Sequence, residues 1–110
     1  MSTIDPKALL SQIGKAGLAA VGAQWPAMRD FASEELSKIA ETALQIELDK
    51  KNGAITEDEA KTLVEMKENT LRTVWLTIDG MTDLTEEAAV NAVMGVVKSA
   101  INTATGFALL

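Results

Sequence analysis

Between Asn52 and Glu59 the chain spells out the end of one helix and the start of the next. Gly53 supplies the left-handed backbone conformation that closes a helix, which residues carrying a Cβ adopt only at a cost. Thr56 is placed to accept a hydrogen bond from the first turn of the following helix. Glu59, three residues on, reaches back to the Thr56 amide and completes a capping box. This short segment commits the chain to a helical hairpin.

The flanking sequence has the period a hairpin needs. Met28, Ala32, Leu36, Ile39, Ala43 and Ile46 recur at alternating three- and four-residue spacing, with Asp30, Glu34, Glu35, Lys38, Glu41 and Asp49 on the other side. The pattern predicts one helix from about 26 to 51, about 40 Å long at the α-helical rise. A second helix is predicted from the Thr56 cap to about Asp79, stopped by Gly80. Its main stripe is Ala60, Val64, Leu71, Val74, Trp75 and Ile78, with Leu63 beside it. Met66, Thr70, Thr73 and Thr77 form a further uncharged strip. Charge covers less than half of this helix, which implies more than one neighbour.

Two terminal helices complete the set. The first starts at Asp5-Pro6, an N-cap followed by a proline suited to the first helical position, and runs to about Gln24. Leu9, Leu10, Ile13, Gly17, Ala20 and Val21 share one face. Pro26 disfavours a helical Trp25 and punctuates the chain there. The last helix is expected to start at Thr85, where Glu86 and Glu87 suit the positive helix end. Val90, Val93, Met94, Val97, Ala100, Ile101 and Ala104 form its apolar side, and Asn91, Gly95, Lys98, Asn102 and Thr105 a polar stripe.

The fold expected is all-α: a small helical bundle built on a long antiparallel hairpin, about 26–51 and 56–79, with the N- and C-terminal helices packed on it. A length of 110 residues and a hydrophobic content of 47% suit one domain spanning 1–110. The hairpin, taken as residues 27 to 80, carries twelve of the sixteen acidic and seven of the ten basic residues, so it holds −5 of the net charge of −6. The terminal helices are nearly neutral and read as packing surface.

Composition removes most chemistry. The chain has no cysteine, histidine or tyrosine. Disulfides, thiolate metal sites, the commonest general base and the commonest transition-metal ligand are therefore absent. Ser11, Ser33, Ser37 and Ser99 have no histidine partner. Gly14, Gly17 and Gly22 match no phosphate-binding fingerprint. The loop after Leu48 matches the glycine and final glutamate of a calcium-binding EF-hand, but Leu48 and Lys50 fall where calcium requires oxygen ligands. No cofactor or metal is expected. An acidic chain without a basic patch does not suit nucleic acid or anionic lipid.

Lys67 falls inside the apolar stripe of its helix. Snorkelling, with a packed stem and a solvated ammonium, is the simpler reading than a buried reactive amine. Leu44, Leu48 and Leu76 lie off the main stripes. Together with Val90, Val97 and Ile101 they form the candidate interface of a self-associating, non-enzymatic structural or interaction protein. The alternative is a membrane-associated helical protein using the terminal helices, since residues 88 to 110 hold only one charge, Lys98. Against it, Asn91, Lys98 and Asn102 put polar groups along that segment. An acid–base enzyme using carboxylates and Lys67 is the third class. No signal-peptide pattern opens the chain, so a cytoplasmic location is expected.

Overall fold

The computed structural model describes residues 3–109. Its elements are α1 (Pro6–Val21), a 3₁₀ turn (Gly22–Gln24), α2 (Trp25–Phe31), α3 (Ser33–Lys51), α4 (Glu57–Leu76) and α5 (Asp83–Thr105). The all-α bundle is as expected, and the packed helices are α1, α3, α4 and α5.

The hairpin turn has the predicted chemistry at both ends. The Gly53 amide donates to the Lys50 carbonyl at 3.1 Å and the Ala54 amide to the Asp49 carbonyl at 2.7 Å. With Gly53 at φ +68°, these two bonds make a complete Schellman closure of α3. On the other side the Glu59 amide donates to Thr56 Oγ1 at 3.2 Å and the Thr56 amide to Glu59 Oε1 at 3.0 Å. The capping box is closed in both directions.

Four expected boundaries move. The long helix from 26 is broken at Ala32 (φ −108°, ψ 16°) into α2 and α3. The Trp75 indole donates to the Met28 carbonyl at 3.0 Å, an oxygen that also accepts from the Ala32 amide at 3.1 Å. A side chain inserted into the helical ladder is a known cause of a kink. Pro26 does not end a helix; it lies in the first turn of α2, and α1 stops earlier, at Gly22 with φ +59°. Next, α4 ends at Leu76 rather than Asp79. The Thr77 hydroxyl takes the Val74 carbonyl at 2.7 Å, and the Thr77 and Ile78 amides form short three-residue bonds. Finally, α5 begins at Asp83, two residues early, because Thr82 is the cap. Its hydroxyl accepts the Thr85 amide at 3.2 Å.

Helix directions follow from contacts between distant segments. Glu47, near the end of α3, binds the backbone of Thr3 and Ile4, and Glu57, at the start of α4, binds the Ala108 amide. Thr3, Ile4 and Ala108 therefore lie beside the hairpin turn. Trp75, Met28 and Trp25 occupy the opposite end, with the two indole rings edge to face at 6.0 Å and 75°. So α1 and α4 run one way, α3 and α5 the other, in a body of 44 × 23 × 21 Å.

The packing departs from a simple hairpin with helices laid on it. Contact between α3 and α4 is less extensive than the contact either makes with α5. The α3/α5 pair forms the spine. α1 packs against both members on one side and α4 on the other, and α1 and α4 barely meet. The core runs along the spine through Ile39, Ile46, Leu71, Trp75, Val90, Val93 and Ile101, all buried. Each such aliphatic side chain contributes roughly 1.5–3 kcal/mol of transfer free energy.

Candidate interaction surface

The six residues proposed from sequence as an interface separate into two groups. Val90, Val97 and Ile101 lie inside the core, and Leu44 is partly buried against it. The expectation that Val90, Val97 and Ile101 supply outer surface is corrected here. α5 meets α1, α3 and α4 at once, so its apolar side is covered within the chain. Leu48 and Leu76 remain exposed, Leu76 at 57% of its free area.

The flanks of α5 are built differently. Toward α4, Arg72 makes a bidentate pair with Glu87, Nε to Oε2 at 3.0 Å and Nη2 to Oε1 at 2.8 Å. Arg72 also donates to Glu68 at 3.2 Å and to Asn69 at 3.0 Å. Lys98 reaches the other oxygen of Glu68 at 3.0 Å. Hydrogen bonding to Glu87 raises the Arg72 pKa, and the guanidinium in turn holds the Glu87 carboxyl below the usual carboxylate range. On the α3 side of α4, Lys67 lies 3.9 Å from Glu35, with side chains 30% and 13% exposed, so its ammonium stands beside a largely buried carboxylate rather than free in water.

Toward α1 the picture reverses. A groove of about 760 Å³ runs along the α1/α5 seam. Ala8 and Gln12 line it from α1; Asn91, Ala92, Gly95, Ser99 and Thr103 line it from α5. Among the described residues Asp5, the cap of α1, is the only charged one in its lining. The groove stays open because the facing residues are small. Gly95 adds to this: a Cβ placed there would meet nothing within 4 Å. Gly17, by contrast, is required by packing, since a Cβ on it would overlap the Trp25 ring.

Two carboxylates, Glu47 and Glu86, are buried, where the sequence pattern predicts solvated or helix-start charge. Glu47 is fully buried and accepts the Thr3 amide at 2.7 Å and the Ile4 amide at 2.8 Å, with Lys51 at 3.5 Å. Burial pushes its carboxyl up. The Ile4 and Thr3 amides, the Thr3 hydroxyl and Lys51 outweigh that and hold it below the usual range. Glu86 is also buried, and its Oε2 has no hydrogen-bond partner among the described residues. Its place in the first turn of α5 offsets part of the cost. The signal was present in the spacing: Glu47 continues the Ala40-Ala43 series, and Glu86 precedes Val90, Val93 and Val97 at helical intervals.

Glu47 is committed to backbone amides, and Lys67 is not part of the groove lining. Among the described residues no group of three or more acidic side chains could hold a metal ion, and no helix is long and apolar enough to cross a membrane. No protein-family model, no curated protein and no solved structure matches this chain.

Proposed function

We propose that this chain is a non-enzymatic structural or interaction protein that associates with itself through uncharged helix surfaces. The observation that carries this reading is the open α1/α5 groove. Among the described residues it is nearly free of charge and lined by small, polar and aliphatic side chains, on a molecule whose seams toward α4 are bridged by ion pairs. Chemistry has little support beside it. Histidine and cysteine are absent, and the best-buried carboxylate serves as an acceptor for the chain's own N-terminal amides.

Exposed apolar side chains add to the case. Leu63 and Met66 stand on the outer face of α4, with Leu76 at its end. Surface of this kind favours association when it lies beside uncharged neighbours. The test is molar mass by sedimentation equilibrium from micromolar to millimolar protein. Mass that climbs with concentration is the expected result. A single monomer mass of 11.7 kDa across that range would overturn the reading.

A further inference from the structure

We infer that copies of this chain join head to tail, the outer strip of α4 in one copy seating in the α1/α5 groove of the next. This rests on the self-association reading above and specifies its partner surfaces.

The strip is less polar than its letters. Thr62, Thr70, Thr73 and Thr77 lie along one face of α4. Each hydroxyl donates back to its own helix: to the carbonyls of Asp58 (3.1 Å), Met66 (2.9 Å), Asn69 (2.9 Å) and Val74 (2.7 Å). Each threonine has one hydroxyl proton and it is used internally. What remains outward is methyl groups and oxygen lone pairs, interleaved with Leu63 and with Met66, which is 58% exposed. The groove offers the reverse. Gln12, Asn91, Ser99 and Thr103 line it, and their side chains make no hydrogen bond to the chain among the described residues. The strip thus offers acceptors, and the groove carries free amide and hydroxyl donors beside its own acceptors.

Charge supports the same pairing. Among the described residues every basic side chain is engaged except Lys7 and Lys15, and both are on α1. Seven reach carboxylates, and Lys50 stands over the Phe107 ring. Lys15 stands one turn beyond Gln12 on the groove side of α1. On α4, Asp58 and Glu65 flank the strip, are exposed and have no cationic partner among the described residues. A free positive charge, Lys15, thus stands beside the groove, and free negative charges border the strip. The dimensions also agree. At the α-helical rise, Asn91 to Thr103 spans about 18 Å and Thr62 to Thr77 about 22 Å.

α1 and α4 flank the α3/α5 spine on opposite sides. One contact therefore leaves a free groove at one end and a free strip at the other. Such a heterologous contact extends into an open chain unless its rotation closes a ring.

Two blocking variants test this by analytical ultracentrifugation. Gly95→Phe fills the groove at a position with open space around it, and Thr70→Glu puts a charge on the exposed strip. Circular dichroism melts establish that each is folded. Wild type is expected to grow past the dimer with concentration. Each variant alone should be monomeric at concentrations where wild type assembles. Their equimolar mixture should form a heterodimer and stop there. If either variant assembles as wild type does, or if the mixture stays monomeric while wild type assembles, head-to-tail association is overturned and self-association stands. A wild type that never leaves the monomer overturns both.

Discussion

α1 and α4 flank the same spine and are held to it by different forces. α4 is tied by charge on both sides, through Lys67–Glu35 to α3 and through Arg72–Glu87 and Lys98–Glu68 to α5. α1 makes no salt bridge among the described residues. It is held by Leu9, Ile13 and the close approach of Gly17 to Trp25, with its leading residues fastened by Glu47. The seam bridged by long charged side chains holds a smaller cavity, about 260 Å³, lined by Lys61, Glu65 and Lys98. The α1/α5 seam holds a groove of about 760 Å³ with small side chains in its lining. The contrast shows how one chain can present both a charged flank and a nearly uncharged one.

The sharpest way to break the α1 side is Gly17→Ala. The added methyl would overlap the Trp25 indole. Overpacking should destabilise by about 1–3 kcal/mol, read as a fall in the urea midpoint. An unchanged midpoint would mean that the ring moves aside freely and that α1 is not held by this contact.

Acid probes both flanks. Glu47 and Glu87 are held below their ordinary range in the folded chain. A depressed carboxylate contributes stability that is full above the unfolded value, about 4.3 for Glu, and is lost as pH falls through the folded value. Melting temperature should therefore hold from neutral pH to near pH 5 and then drop. In Glu47→Gln the neutral-pH value should be lower and the drop shallower. A drop as steep as wild type's would remove Glu47 from the account.

Arg72→Met addresses the α4 side. It removes the centre of a partly exposed network and should cost about 1 kcal/mol, the upper end for surface pairs. The loss should shrink in high salt, because screening already weakens the network in wild type. Gly17→Ala should show no such salt dependence, and that difference is the direct test of charge against packing.

The smallest effect has the opposite sign. Gly95→Ala meets no atom and removes a helical glycine, so it should stabilise by about 0.5–1 kcal/mol. A loss of stability would mean that the α1/α5 seam is tighter than its geometry.

Much of the fold is legible in the sequence because its causes are local. The capping box, the Schellman closure at Gly53 and the Asp5-Pro6 start involve residues a few positions apart, and each is found where the sequence puts it. The stripe from Met28 to Ile46 is buried as its spacing requires. The break at Ala32 was not legible; it lies one turn after a carbonyl that an indole 47 positions away also takes. The groove was only half legible. Helix 1 and the last helix read as small-residue packing surface, and spacing alone cannot say which flank a third helix covers.

What the sequence determined by itself is therefore the all-α class, the closed turn between α3 and α4, the Asp5 cap and the buried stripe from Met28 to Ile46, along with the residue types the chain lacks. Backbone capping and helical periodicity act within a turn or two, so neighbouring letters suffice. Only the tertiary structure decided that α5 joins α3 as the spine, that Val90, Val97 and Ile101 are interior, and that Glu47 faces inward to hold the first residues. Those outcomes depend on which amphipathic faces meet across tens of residues. Side-chain size and amide donors brought in from distant segments settle that competition.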